Sequence, residues 1–397
     1  MIEPRKHFEG LTCTINTTED CNLRCKYCYE INKRPRNIDL DTCKKFINII
    51  LKDPDPCGVK EDPQFSWIYS KGICLDFIGG DSFMNVELLD KICEYFIKQL
   101  YLIDNENTLL WRGLFKFSIS TNGTLFNDKV REFCLKYKDS LSIGISIDGC
   151  PEIHDLNRVY PNGQGSMRDI IKNWEWFSKE FPYLSQETKA TASKNTIPYL
   201  YDSLKFMHEE LGINYINQNF IMEDMHLTPE DLKEFDRQME KCIDYCLQHK
   251  NDLYWRMLDK REFANAHLNT GKDWNFKGHC GSGAMPALSI DGNIYPCFRW
   301  LSHCQFNNNF NNFKVGDIHE GLNHKENFAK VREGSYRCNC TREEKCKSCE
   351  VESACSYCIA GCYAEYGDFI RTTHICEITK RTVNWAKKYW EEYDKIK

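Results

Sequence analysis

The sequence predicts an α/β chain: a partial (β/α)6 barrel, followed by a loop-rich, cysteine-rich domain. Two observations carry this expectation. Six short apolar segments of strand character alternate with amphipathic helical segments as far as Ile221. From Gly278 the alternation stops and cysteine density rises sharply. Six consecutive βα units imply a parallel sheet with right-handed crossovers. They fall short of the eight that close a barrel, so an open, partial barrel fits better, with a doubly wound sheet as the structural alternative.

The elements follow in order. Leu11–Ile15 reads as the first strand and Asp41–Leu51 as an amphipathic helix, with Phe46, Ile49 and Ile50 on one side. Residues 53–71 form a polar, proline-containing insertion with no assignable element. Ile73–Ile78 is the second strand, and Val86–Leu100 a helix with Leu88, Leu89, Ile92, Phe96 and Ile97 at helical spacing. Leu114–Ser118, Leu141–Ile147, Thr188–Thr191 and Asn214–Ile221 supply four more strands. Between them lie helical patterns over Asp128–Tyr137, Met167–Lys179 and Tyr199–Leu211. Residues 229–262 look helical and bridge to a different region. The expected division is a barrel over 1–240, a helical bridge over 241–276 and a cysteine-rich domain over 277–397.

Composition narrows the function. The 52 Lys and Arg against 58 Asp and Glu leave a net charge of −6, which gives no footprint for nucleic acid. The first residues have no apolar core of a signal peptide, and no apolar run reaches the length of a membrane span. The expected location is cytoplasmic. The outlier is 23 cysteines. In a long chain without an export signal, clustered cysteines point to metal or redox chemistry rather than disulfides. The scattered thiols Cys43, Cys74, Cys93, Cys134, Cys150, Cys242 and Cys246 read as small buried hydrophobes.

Three thiols after the first strand, Cys21, Cys25 and Cys28, stand at CxxxCxxC spacing. Thiolates are the preferred ligands of iron–sulfur clusters, and three ligands leave the fourth iron open. Tyr27 offers a flat face beside it. A structural zinc loop is the competing reading of the same spacing. After the second strand come Gly79, Gly80 and Asp81. Two glycines let the backbone approach a ligand closely, although an ordinary strand-to-helix turn would use them too. The third strand runs into Ser118-Ile119-Ser120-Thr121-Asn122-Gly123. The fourth runs into Ser146-Ile147-Asp148-Gly149, then His154-Asp155-Leu156-Asn157-Arg158. In parallel α/β folds, ligands bind at these carboxyl ends.

Together these segments resemble the radical SAM superfamily: its cluster loop, its GGE motif (Asp81 replacing the commoner Glu) and the STNGT and SxDG…HDxxR segments of sulfatase maturases and peptide-modifying members. The resemblance implies that S-adenosylmethionine chelates the open iron and that Gly79, Gly80 and Asp81 hold its amino group. Ser120, Asn122 and Ser146 would surround the ribose and methionyl part, and Arg158 would pair with the carboxylate. Cys280-x11-Gly292-x4-Cys297, then Cys346, Cys349, Cys355, Cys358, Cys362 and Cys376, resemble the SPASM extension with two auxiliary clusters. That implies three 4Fe-4S clusters in all. By analogy Cys280, Cys297 and Cys362 hold the nearer auxiliary cluster, and Cys346, Cys349, Cys355 and Cys376 the farther. Here the family spacing breaks, because Ile359 stands where a cysteine belongs. Cys355 and Cys358 therefore compete for one place, and the nearer cluster lacks a fourth ligand that Cys304, Cys338, Cys340, Cys358 or a substrate thiolate could supply.

The implied function is that of a radical SAM oxidoreductase that modifies peptides. S-adenosylmethionine is cleaved reductively, hydrogen is taken from a cysteine-containing peptide, and a thioether crosslink forms. Ser353 to Cys362 resembles ribosomal-peptide maturases of the CXXX-repeat type. A sulfatase maturase forming formylglycine is the alternative, yet Phe298 stands where those enzymes carry an aspartate base. An electron-transfer protein without catalysis is the alternative of another class. The implied partners are the peptide and an electron donor such as flavodoxin or ferredoxin. With only 20 residues before Cys21, a separate leader-binding partner is the further expectation.

Overall fold

Along each of the first strands, apolar and polar side chains alternate, and the fold follows from that alternation. The structure, a computed structural model, describes residues 8, 10–62, 65–184, 187–266, 281–301, 304, 310–336, 344–355 and 357–396. Strands β1 (Leu11–Thr18), β2 (Ile73–Gly79), β3 (Phe115–Thr121) and β4 (Leu141–Ile145) pair in parallel in that order. Then β5 (Glu187–Ala192), β6 (Tyr215–Phe220) and β7 (Tyr254–Trp255) form a second parallel set. The two sets meet at a parallel bridge between Ser146 and Lys189. Thr188 Oγ1 also donates to the Ile145 carbonyl at 2.8 Å.

Helices α1 (Leu40–Lys52), α2 (Val86–Leu102), α3 (Glu106–Trp111), α4 (Asp128–Lys136), α5 (Pro151–His154), α6 (Met167–Glu180) and α7 (Leu200–Glu209) occupy the crossovers. Leu11, Cys13 and Ile15 of β1 and Leu75 and Phe77 of β2 are buried in the large core that also takes Phe46, Ile50, Leu89, Ile92 and Phe96 from α1 and α2. Each strand presents polar residues on its other face: Thr14 and Asn16, Asp76, Ser118 and Ser120, Gly144 and Ser146, Lys189 and Thr191. This face is the lumen. Helix starts are set locally. Asp39 accepts from the Thr42 N–H at 2.8 Å, and Thr228 and Asp231 cap one another before α8 (Pro229–Gln248).

The helical reading of 229–262 is corrected here, while residues 267–276 of the expected bridge lie outside the described residues. Helix α8 stops at Gln248, and Tyr254–Trp255 pair with Tyr215 and Ile216 as a seventh strand. Two adjacent aromatics favour a pleated surface, and Tyr254 stacks on Tyr215 with ring centres 4.6 Å apart. Past residue 281 the chain returns to the barrel. Strand β8 (Ala287–Leu288) pairs in parallel with β1, and β9 (Asn293–Tyr295) and β10 (Gly316–Asp317) extend the sheet antiparallel. The unassigned insertion packs against this return. Arg332 donates to the carbonyls of Cys57 (3.1 Å) and Gly58 (3.2 Å), and Lys325 pairs with Asp53 at 2.7 Å. Of the scattered thiols, Cys43, Cys74, Cys93, Cys134, Cys242 and Cys246 are buried and Cys150 is half-buried. Burial pushes the six buried thiols above their ordinary pKa. No described helix is long and apolar enough to cross a membrane.

The glycine pair fixes where the cysteine loop begins. A Cβ on Gly80 would lie 1.8 Å from the Asp20 carbonyl oxygen and 2.7 Å from Cys21 Cβ. Gly79, at φ +132°, leaves 2.0 Å to the Thr18 carbonyl oxygen. Their lack of side chains admits the backbone of the cysteine loop. Gly80→Ala is therefore expected to displace residues 20–21, to destabilise the fold by about 2–3 kcal/mol and to lower bound iron. Urea unfolding and iron analysis check both effects.

Candidate active site at the carboxyl ends of the strands

The cysteine loop leaves β1 and crosses the mouth of the partial barrel. Its backbone is fixed by neighbours from other strands: Arg24 N–H donates to the Val159 carbonyl (2.7 Å) and Lys26 N–H to that of Asn157 (2.9 Å). Cys21 is buried, and Cys25 and Cys28 are half-buried. Donors converge on the sulfurs. The Lys33 ammonium lies 3.1 Å from Cys28 Sγ, Leu23 N–H 3.4 Å from Cys21 Sγ, and the Asn122 amide 3.8 Å from the same sulfur. Burial, with Asp81 nearby, raises the Cys21 thiol to about 12, and burial also raises Cys25. Such thiols ionise only when a cation compensates them, so the donor set suits a thiolate-bound metal cluster. Lys33, five residues beyond the motif, carried no sequence signal of this contact.

Asp81 is spoken for by protein donors. It accepts from Phe83 N–H (3.1 Å), Thr121 Oγ1 (2.9 Å) and Asn122 N–H (2.8 Å), tying the end of β2 to the end of β3. Burial raises its carboxyl to about 6. Asn122 sits between Cys21 and Asn22, donating to Asn22 Oδ1 at 2.8 Å. Ser120 accepts from the Lys189 ammonium at 2.6 Å. Lys189 was missed from sequence. Gly144 makes its place, since a Cβ there would lie 2.7 Å from Lys189 Cε. The alternation within Thr188–Thr191 was the one signal that could have put it in the lumen. Ser146 lies at the bridge to Lys189 itself.

Asp148 is the hub of the site. The Arg158 guanidinium grips it through Nε (2.9 Å) and Nη2 (3.2 Å), Thr191 N–H donates at 2.9 Å, and the Tyr27 hydroxyl donates as well. Burial alone would raise this carboxyl, but Arg158, His154 and the Tyr27 hydroxyl together outweigh it and hold the group below its ordinary value. The Arg158 guanidinium also lies 5.3 Å from the centre of the Tyr27 ring. Arg158 and Asp148 are also close enough to act on the charge of Cys25, so Tyr27, Arg158 and the second cysteine form one unit. Buried His154 completes it, accepting from Asp148 N–H at 3.3 Å with its other nitrogen 3.1 Å from Ser166 Oγ.

Burial lowers His154 to about 4, against an unfolded value near 6.5. Between those values the unfolded chain binds more protons, so stability is complete above about pH 6.5 and falls as pH drops toward 4. The loss is about 3 kcal/mol in total. Urea unfolding of the cluster-free protein at pH 7 and pH 4.5 should show a steeper loss for the wild type than for His154→Gln.

The later cysteines separate into two places. Cys346, Cys349, Cys355 and Cys376 line one small cavity with Glu352, Arg371 and Lys380. Burial, with smaller contributions from the other three cysteines of this cavity, raises Cys355 to about 12 against the opposing charge of Arg371. Behind it the buried pair Arg371–Glu352 closes at 3.3 Å. Cys358 and Cys362 instead line a larger cavity of about 410 Å³ with Arg299, Glu223 and His374. Cys297, Cys304 and Cys362 share the aromatic cluster around Trp300 and Tyr357, with Cys358 packed against it. So Cys355 and Cys358, which compete in the sequence pattern, belong to different neighbourhoods. Cys280, Cys338 and Cys340 lie outside the described residues.

The larger group touches the first loop. Phe298 packs on Tyr29 with ring centres 6.0 Å apart, and Arg299 sits 4.4 Å from the Tyr29 ring centre while pairing with Glu223 at 2.8 Å. Cys304 donates to the Phe298 carbonyl at 3.4 Å, and Glu30, Cys297 and Cys28 are all close enough to act on its charge.

No family model matches the chain. Among curated relatives, an uncharacterised protein of Methanocaldococcus jannaschii is 29% identical over 74% of this chain and 90% of its own length. The radical SAM cyclopropyl synthase TigE of Paramaledivibacter caminithermalis is 23% identical over 93% of this chain and 71% of its own. A cysteine-type anaerobic sulfatase-maturating enzyme of Clostridium novyi is 23% identical over 85% and 84%. Among solved structures, native anSMEcpe with bound AdoMet superposes with a TM-score of 0.71 at 18% identity, covering 98% of this chain and all of that one. The same enzyme has been solved with AdoMet and the Cp18Cys peptide, at TM-score 0.70, 18% identity and coverage of 98% and 100%. Over most of its length the chain is therefore similar in sequence to radical SAM enzymes of the maturase type, and it shares the fold of anSMEcpe.

Proposed function

We propose that the chain forms thioether crosslinks in a cysteine-containing, ribosomally made peptide. In this reading Cys21, Cys25 and Cys28 hold a 4Fe-4S cluster whose open iron takes S-adenosylmethionine. When bound, the cluster and S-adenosylmethionine together would supply one-electron, hydrogen-abstracting chemistry at this place. The chain's own residues do the rest. Lys33, Leu23 and Asn122 offer donors to the sulfurs. Asp148 holds Tyr27 and Arg158 in register beside the loop, so that remaining guanidinium donors can meet a carboxylate. Asp81 acts as a positioning residue through Asn122. Cys346, Cys349, Cys355 and Cys376 would hold a far auxiliary cluster. Cys297, Cys358 and Cys362, with Cys304 as a further thiol, would hold a near one, and Cys280 is its remaining candidate from the motif.

The observation that carries the choice of reaction is the surroundings of Phe298. Formylglycine formation needs a proton acceptor at that place, by the family pattern. Here an apolar ring packs on Tyr29, and the adjoining Arg299 is a cation already paired with Glu223. At position 298 itself a substrate would meet an aromatic ring instead of a carboxylate. The peptide-bound neighbour supports a peptide as the substrate class. The test is anaerobic incubation of reconstituted protein with S-adenosylmethionine, dithionite and cysteine-containing peptides encoded beside the gene. Formation of 5′-deoxyadenosine with loss of two hydrogens per crosslink is expected. Formylglycine in a sulfatase peptide would overturn the choice of reaction.

A further inference from the structure

Outside the cysteine motifs, α7, the end of α8 and the turn into β7 bring two imidazoles and a carboxylate together. His208 Nε2 lies 3.5 Å from Asp252 Oδ2, and His249 Nδ1 lies 3.6 Å from the same oxygen. All three ligand atoms fall within 4.8 Å of one another. Two ligands each about 2.1 Å from a zinc ion at the tetrahedral angle are about 3.4 Å apart. Two edges of the triangle are therefore already at metal-binding length, and the third needs only a small ring rotation.

The hydrogen bonds around His208 fix its protonation. The Tyr245 hydroxyl has one proton, and it donates that proton to Glu209 Oε1 at 3.2 Å. His208 Nδ1, 2.8 Å from the same hydroxyl, is the donor in the tautomer that satisfies both contacts. That leaves a lone pair on Nε2, facing a carboxylate oxygen with no proton between them. Two acceptors held face to face call for a cation, and a Tyr–Glu relay behind a ligating histidine is the usual way of fixing its tautomer. The site also adjoins the carbonyl end of α8, where His249 caps the helix, and positive charge is favoured there. Asp252 is half-exposed, so water can reach a remaining coordination position.

We infer that His208, His249 and Asp252 form a site for a divalent transition ion of the zinc class, pinning α7 to the end of α8 just ahead of β7. Nitrogen and carboxylate ligands of this number suit Zn²⁺, Co²⁺ or Ni²⁺ and are poor for Mg²⁺ or Ca²⁺. The site is independent of the iron-binding thiols.

The test uses cluster-loaded protein dialysed against buffered free Zn²⁺, with His249→Ala and Asp252→Asn beside the wild type. Both positions are partly exposed, so both variants should fold and keep their iron. The wild type is expected to retain about one equivalent of zinc more than either variant, and zinc should raise its thermal midpoint alone. Co²⁺ in that extra site should show ligand-field bands without thiolate charge transfer. Equal zinc in all three proteins, or a thiolate spectrum for the extra cobalt, would overturn the inference. Neither result bears on S-adenosylmethionine cleavage.

Discussion

Replacing Cys25 with alanine is expected to abolish 5′-deoxyadenosine formation while leaving the fold in place. Cys25 sits in the loop whose backbone is held by Asn157 and Val159, and that scaffold survives the substitution. Two thiols cannot hold a four-iron cluster, so bound iron should fall by about four per chain out of about twelve. Activity should drop to background, a loss of more than about a thousandfold. Cys134→Ala is the control. Cys134 is buried on α4 beside Val130 and Phe133, so its loss should cost about 1 kcal/mol of stability and no iron. Iron analysis, the cluster absorption and 5′-deoxyadenosine assays separate the two variants. Equal iron loss in both would mean that the thiols bind metal without regard to motif.

The second large effect is expected at Asp148. Removing this carboxylate by Asp148→Ala leaves the Arg158 guanidinium buried without its partner and takes acceptors from Thr191 N–H and the Tyr27 hydroxyl. Breaking a buried ion pair from one side costs about 3–5 kcal/mol. Asp148→Asn keeps an acceptor and should cost less. The loss should be larger above the ordinary carboxylate range than below it. The native carboxyl is held lower than in the unfolded chain, so its contribution is complete above that range and disappears as pH falls through its depressed value. Urea unfolding of cluster-free protein measures this. In the holoenzyme the same change should raise the KM for S-adenosylmethionine, because Arg158 and Tyr27 lose their common anchor.

The fold was legible in the sequence to the extent that periodicity carries it. The alternation of buried Leu11, Cys13 and Ile15 with polar Thr14 and Asn16 is a period of two, and Phe46 and Ile50 repeat at helical spacing. Tyr254–Trp255 was hidden because a two-residue strand has no period, and only its stacking on Tyr215 declares it. The insertion over 53–71 was opaque for a related reason. Its partners Lys325 and Arg332 lie some 270 residues away in the chain.

By itself, the sequence determined the chemistry: three thiols at one spacing, glycine-rich strand ends and a second cysteine-rich region fix which atoms are available. Spacing along the backbone is a local property, and it survives in the unfolded chain. Which sulfurs share a cavity is not local. Cys355 and Cys358 are three residues apart, yet Cys355 turns toward Cys346, Cys349 and Cys376, while Cys358 caps the helix over Ile359–Tyr366 and borders the cavity with Arg299. Likewise Asp148 became a hub and Lys189 entered the lumen only when parallel strands brought Arg158, Thr191, Tyr27 and Gly144 around them. Tertiary structure made those decisions because burial and charge pairing depend on distance through space, which a linear pattern does not contain.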